Sequence, residues 1–319
     1  MMRTRRIRWF VVTALAASGA SGVLAQDYPT KPIRVFTSGV GGSSDRATRI
    51  FAPALSAALG QQVIVESRPA PISMENVAKA APDGYTLITA GSGIITAPLL
   101  QVPPQEPLKE FAPITLAVSA PSVVTVHPTL PVKSVKQLIA LAKARSGELN
   151  YASGNTGSAS HLTGELFNSM GRIKIVRVPY KAAGAAVADM VTGQVQVAYY
   201  SPGSVMPQIK AGKLRAIAVT SLQPSALVPG VPTVAATGLP GFEVLSTDSV
   251  FAPAKTPPAI ISRVHRELVR VLNQPDIKEK MLNSGGEVIA DSPEAFGAWL
   301  KSEVVKWAKL IKETGIRAE

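Results

Sequence analysis

Serine, threonine, asparagine and glycine crowd one twenty-residue stretch, YASGNTGSASHLTGELFNSM at 151–170, and these residue types bind ligands more readily than they break bonds. Hydroxyls both donate and accept, and a glycine lets a backbone N–H come close to a ligand. Residues 149–152 are apolar enough to finish a buried strand, 153–160 form a small polar loop, and Leu162, Leu166 and Met170 then recur at helical spacing. The first N–H groups of a helix lack partners inside the helix and sit at its positive end, so this order suits an anion. The same order occurs upstream: a short apolar strand at 33–36, TSGVGGSS at 37–44, then Ala47, Ile50, Phe51, Ala54, Leu55, Ala58 and Leu59 as the stripe of a helix. Two such loops facing each other would form a pincer.

Other chemistries fit less well. The upstream loop invites a dinucleotide reading, but the third glycine of G-x-G-x-x-G falls at Ser44, and an exported chain would have to retain a cytoplasmic cofactor. Hydrolysis needs a base near a serine. No G-x-S-x-G elbow exists, and of the three histidines, His127, His161 and His265, only His161 lies near a loop, at a helix start where packing or capping is the more ordinary role. The histidines share no metal-ligand spacing and the carboxylates are scattered, so no metal, cofactor or catalytic residue is expected. An exported α/β enzyme, hydrolase or dehydrogenase-like, stays as the alternative to a binding protein.

Residues 1–25 read as a signal peptide: Arg3, Arg5, Arg6 and Arg8 are a basic start, 9–17 is an apolar core too short to span a bilayer, and Val23, Leu24 and Ala25 offer a cleavage site. Arg8 stands where a twin-arginine signal prefers an apolar residue, which favours general export over that route. The mature chain is thus expected in the periplasm. With no cysteine it relies on its core, which a chain of this length can build. The formal charge of +12 becomes +8 without the four leading arginines, and the remaining cations are spread among acids with few aromatics between them. That reads as solvated surface and not as a nucleic-acid site.

Strand and helix signals alternate along the rest. A strand is expected at 62–66, an irregular turn at 67–73, a helix at 74–80, a Pro82-Asp83-Gly84 turn and a strand at 85–89. Pro53 falls inside the first helix, at a cost of about 3 kcal/mol or a kink. Prolines 98, 103, 104 and 107 predict an irregular stretch over 92–112, and 114–126 is β-rich and long enough to cross between lobes. A second α/β unit follows, with helices at 134–144, 184–192 and 204–211 and strands at 175–178, 195–199 and 214–219. Residues 243–253 are apolar enough to cross back, and two amphipathic helices are expected to close the chain, the last with Phe296, Trp299, Leu300, Val304, Trp307 and Ile311 as its stripe. Such alternation predicts an α/β fold of mostly parallel sheets with ligand sites beyond the strand ends.

Across essentially the whole mature chain, ordered motifs resemble those of the Bug-type periplasmic receptors of tripartite tricarboxylate transporters. They are YPTKPIRV at 28–35, GGSSD at 41–45, VAKAAPDGYTL at 77–87, LNYASGNTGSASHLTGELF at 149–167, VPYK at 178–181, IKAGKLRAIAVT at 209–220, VPTVAATGLPGFE at 231–243 and KWAK near the end. The resemblance implies a two-lobed, type II-like periplasmic binding protein with a hinge and a cleft: 26–124 with 246–319 as one lobe and 125–245 as the other. It implies a small organic carboxylate or zwitterion as ligand and integral-membrane transporter subunits, or a sensor partner, as protein partners, with a monomer expected. The candidate ligand-binding residues are Gly41, Gly42, Ser43, Ser44, Asp45, Ser92, Ser153, Asn155, Thr156, Gly157, Ser158, Tyr200, Ser201 and Asp248. The sequence departs from the family pattern at Ser38-Gly39-Val40, where a proline-rich run is usual, at 70–74, at Tyr199-Tyr200-Ser201, and at Ser246-Thr247-Asp248-Ser249, where Ser-Trp-Phe-Gly is usual. At Asp248 an acid therefore replaces a large apolar residue. Either it lines the cleft and meets a positive or donating ligand group, or it points to solvent at the hinge.

Overall fold

The structure is a computed structural model that describes residues 28–317, so the expected signal segment lies outside the described residues. From the N-terminus, β1 (Ile33–Ser38), α1 (Ser43–Leu59), β2 (Val63–Arg68), α2 (Ala70–Ala78), β3 (Thr86–Gly91), α3 (Gly93–Leu99) and β4 (Phe111–Pro121) build most of a first sheet. A second sheet takes over one residue later. It contains β5 (Val123–Val126), α4 (Val135–Ala144), β6 (Asn150–Ser153), α5 (Ala159–Gly171), β7 (Val176–Pro179), α6 (Ala183–Val191), β8 (Val197–Tyr200), α7 (Pro202–Lys210) and β9 (Arg215–Val219). After α8 (Val234–Thr237), β10 (Leu245–Pro253) returns to the first sheet, followed by α9 (Pro258–Leu272), α10 (Pro275–Asn283), β11 (Glu287–Val288) and α11 (Pro293–Thr314).

The α/β class and its two sheets match the sequence expectation, but the sheets are mixed. The orders are β11-β4-β10-β3-β1-β2 and β7-β6-β8-β5-β9. Pairs linked through helices, such as β1 with β2 and β6 with β8, run parallel; every pair involving β5, β10 or β11 runs antiparallel. For β5 and β10 the cause is the crossing itself. A strand that enters from the other sheet arrives without the helical crossover that restarts a parallel strand, so β10 inserts between β3 and β4 in the opposite sense.

Three helix expectations change as well. α2 begins at Ala70, because Pro71 takes a first-turn position where its missing N–H costs nothing. α3 occupies part of the stretch read as irregular, its Pro98 standing in the final turn. The C-terminal region holds three helices, since Pro275 opens α10 directly after α9. Pro53 does lie within α1; it is exposed, and so is Arg49, whose carbonyl loses its partner on the side where water can replace it.

One apolar cluster runs continuously from Phe36 and Ile88 in the first sheet through Trp307 of α11 to Tyr151 and Phe167 in the second half of the chain. Both crossings meet at Thr220. Its hydroxyl accepts the Ser122 N–H at 2.8 Å and donates to the Val244 carbonyl at 2.6 Å, and its backbone bonds the same two residues.

Candidate ligand-binding cleft

Three places where a strand hands over to a helix converge on one cavity of about 290 Å³. The β1–α1 junction contributes Ser43, β3–α3 contributes Gly91, Ser92, Gly93 and Thr96, and β6–α5 contributes Gly157, Ser158, Ala159 and Leu162. The rim is completed by residues 244–247, where the chain enters β10, and by Trp307. The Trp307 indole N–H is bound to Glu303 at 2.9 Å, so only its ring is left for the cavity. No lining residue is ionisable.

The first loop is tied from within by an acid. Gly39 and Gly41 adopt left-handed φ angles of +80° and +73°, folding the chain so that the Gly41 N–H reaches the Asp45 carboxylate at 2.9 Å. Thr37 donates to the same carboxylate at 3.3 Å, Arg49 Nε at 3.0 Å, and the Ser67 hydroxyl also donates to it. Burial alone would raise the Asp45 pKa; the Ser67, Gly41 and Arg49 donors overcome it and hold the carboxyl down to about 2.

The second loop is tied by a base. Arg177, from β7, donates to Ser153 Oγ at 2.8 Å, Thr156 Oγ1 at 3.2 Å and the Gly154 carbonyl at 3.0 Å. Ser158 caps α5 by accepting the His161 N–H at 3.3 Å, and His161 Nδ1 accepts the Gly157 N–H at 3.1 Å. His161 is thus a capping residue, the ordinary role expected of it.

Of the candidate residues, Ser43, Ser92, Gly157 and Ser158 reach the cavity wall. Gly41, Gly42, Ser44 and Asp45 stand behind Ser43 and shape the first loop. Ser153 and Thr156 are turned to Arg177, while Asn155 is exposed, its carbonyl accepting the Ser158 N–H. Tyr200 and Ser201 lie off the cavity. Tyr200 packs into an apolar cluster with Ala152, Val187 and Val205, and Ser201 is exposed and bonded to Ser204 at 3.0 Å. Sequence reasoning missed Gly91, Gly93 and Thr96, although 89–93 repeats the strand, small-residue loop and helix order; the prolines that follow masked it. Trp307 was legible only as part of a core stripe.

At the first helical positions of α1 and α5, the N–H groups of Ser43 and Ala159 have no acceptor among the described residues, and both residues line the cavity. An anion between two such helix starts meets donors and two favourable dipoles without any full positive charge.

Asp248 is 7 % exposed, which removes the solvent-facing alternative. It lies one residue past the lining segment and accepts the Ser43 hydroxyl at 2.9 Å. Burial pushes its pKa up to about 6, against the opposing influence of Ser43 and of the Arg46 guanidinium.

Residues 47–316 match the family described as "Tripartite tricarboxylate transporter family receptor". The chain belongs to that receptor family. It is 33% identical to BugT of Bordetella pertussis, covering 99% of both chains, and 33% identical to a protein of Pseudomonas sp. strain P51 encoded in the tcbD-tcbE intergenic region, over 98% of this chain and 95% of that one. Among solved structures, it resembles an R. palustris protein with adipate (TM-score 0.72, 31% identity, 91% of this chain and 99% of that one). The periplasmic binding protein BugD is similar to the same degree (TM-score 0.69, 31% identity, 92% and 100%). MatC from Rhodopseudomonas palustris, with bound malate, shows a TM-score of 0.69 at 26% identity over 89% and 100%. The function of a solute-binding receptor and the two-lobed α/β architecture follow from this membership. Among the described residues no helix is long and apolar enough to cross a membrane.

Proposed function

We propose that this receptor captures a small organic carboxylate in the cavity between β1–α1 and β6–α5, without transforming it, and presents it to membrane-embedded transporter subunits from the periplasm. The observation that carries the reading is a cavity of about 290 Å³ with no ionisable lining residue, flanked by the unpartnered first N–H groups of two helices. Its size is near the lower end for ligand pockets, which suits a small metabolite. Related receptors solved with adipate and with malate support the ligand class. We place the carboxylate at the α5 end, against Ala159 N–H and Ser158, with Ser92 on the flank. The lobes in this reading are 26–124 with 246–319 and 125–245; residues 1–25 are removed on export, and the receptor acts as a monomer.

Calorimetric titration of the mature protein with succinate, malate and adipate, alongside NAD and a test ester, checks this. Saturable binding of at least one acid, recovered chemically unchanged, is expected. Turnover of the ester or tight NAD binding with no response to acids would overturn it. Intact-mass measurement of the exported protein tests the cleavage after residue 25.

A further inference from the structure

Resting on that reading, we propose that Asp248 sets the hydrogen-bond polarity of the α1 end of the cavity through Ser43, so that this end takes a ligand donor, a hydroxyl or an ammonium group, and rejects a second carboxylate.

A serine hydroxyl carries one proton and two lone pairs. The Ser43 proton is directed to Asp248 Oδ1 at 2.9 Å, and Ser43 is on the cavity wall. What its oxygen offers a ligand is therefore lone pairs. Asp248 is mostly buried, but its second oxygen makes no hydrogen bond among the described residues and keeps some access to solvent. Its strand neighbours give it nothing: Gly91 lies opposite on β3 and Val118 on β4. A carboxylate in a mostly apolar setting with one oxygen still open gains from a donor, and a ligand hydroxyl or ammonium beside Ser43 would supply one in place of water.

The charged groups around Asp248 leave this polarity in place. Arg46, on α1, attracts its charge but bonds the Gly41 carbonyl. Asp45, on the same helix, is saturated by Gly41, Thr37, Ser67 and Arg49. A ligand carboxylate at this end would meet the Ser43 N–H and the α1 dipole, but set against them are the Ser43 lone pairs and the full negative charge of Asp248. At the α5 end, by contrast, the Ala159 N–H and the dipole of a thirteen-residue helix face the cavity with no acid against them.

Protonation reverses the arrangement. Asp248 titrates near pH 6 because it is buried. Below that pH the carboxyl group can itself donate to Ser43, whose proton is then free to meet a ligand carboxylate. Preference for a donor-bearing ligand should therefore be strong above pH 6 and weaken below it.

The test uses two series of equal length: succinate, 4-hydroxybutyrate and 4-aminobutyrate, and adipate, 6-hydroxyhexanoate and 6-aminohexanoate. Dissociation constants are measured calorimetrically at pH 7.5 and 5.5 for the mature wild type, Asp248→Asn and Ser43→Ala. In the wild type at pH 7.5 the hydroxy and amino acids of the series that fits should bind at least tenfold more tightly than the diacid. That advantage should fall below threefold in Asp248→Asn, and it should shrink at pH 5.5 in the wild type and in Ser43→Ala, which keep the titrating carboxyl, but not in Asp248→Asn; the ligands' own titration is common to all three proteins. In Ser43→Ala the hydroxy acid should lose its advantage while the amino acid, attracted by charge, keeps most of it. Ser43 is exposed, so that variant remains informative even where Asp248→Asn fails to fold. A diacid that binds the wild type as tightly as its partners, or an unchanged preference in Asp248→Asn, overturns the proposal alone. No binding by any of the six compounds overturns the carboxylate reading together with it.

Discussion

The β1–α1 and β6–α5 loops share one sequence order and solve the problem of rigidity with opposite charges. In the first, Asp45 sits in the opening turn of α1 and draws in the Gly41 N–H, the Thr37 and Ser67 hydroxyls and Arg49. In the second, Arg177 reaches over from β7 and takes the Gly154 carbonyl and the Ser153 and Thr156 oxygens. An acid consumes donors, so the first loop keeps few for an incoming anion. A base consumes acceptors and leaves N–H groups available. Loops that look alike in composition thus differ in what they can offer a ligand, and the difference lies in a partner outside the motif.

The largest effect is expected beneath the second loop. A Cβ added at Gly164 would stand 2.3 Å from the Tyr151 ring, which is fully buried and held by a 2.6 Å bond to Glu165. Gly164→Ala should therefore destabilise the protein by about 3 kcal/mol in denaturant unfolding, despite the better helix propensity of alanine. A stabilised variant would show that β6 and α5 are free to separate, and the rigid second loop would be an illusion of packing.

Next comes the acid brace. The Asp45 pKa is held at about 2 against an ordinary 3.8, a lowering that corresponds to about 2 kcal/mol at neutral pH. Because the folded value lies below the unfolded one, this stability is complete above pH 4 and is lost as pH falls through 2. Asp45→Asn should cost about 2 kcal/mol at pH 7 and flatten that acid limb. An unaltered limb would place the charge of Asp45 outside the folding balance.

Much of this fold is legible in the sequence, and what is not depends on contacts outside each segment. Apolar runs located most strands to within about two residues because burial enforces them, but 114–126 read as one strand divides into β4 and β5, and the two-residue β11 carries no such run. Antiparallel β10 escaped because direction is a property of how a strand enters a sheet, and residues 245–253 read the same either way. α3 escaped because Pro98 resembles a helix breaker unless the helix ends beside it. At the site, Ser43, Gly157 and Ser158 were readable as small residues between strand and helix, whereas Ser92 was named only with the family's candidate residues. Arg177 was not, since an isolated arginine in a strand carries no signal of the loop it will hold. Tyr200 and Ser201 were placed by family analogy at a position where this chain departs from the family, and the strand instead turns Tyr200 into the core.

Arg177→Met separates loop bracing from stability. Methionine keeps the apolar stem while removing the three donors to 153–156. Since the side chain is only part-buried, stability should fall by no more than about 1 kcal/mol, whereas affinity for a bound carboxylate should drop about tenfold, or about 1.4 kcal/mol. Asp45→Asn should leave that affinity within about threefold, a change worth roughly 0.7 kcal/mol. Equal losses in the two variants would erase the distinction between the loops.

The smallest effect concerns shape. Gly157, in the second loop, packs against Leu100 at the end of α3; an added Cβ would come within 2.4 Å of its Cδ1, and the φ of +77° already disfavours any other residue. The loop from the second sheet therefore rests on the end of α3, which belongs to the first half of the fold, and both line or border the cavity. A ligand held by both sides binds this arrangement better than an opened one and shifts the population toward it. Small-angle scattering should show a slightly smaller radius of gyration at saturation with any acid that titration shows to bind. Gly157→Ala, wedged against Leu100, should weaken that acid and remove the compaction. If the variant compacts as the wild type does, the contact with Leu100 is incidental to closure, and the two loops meet through the ligand alone.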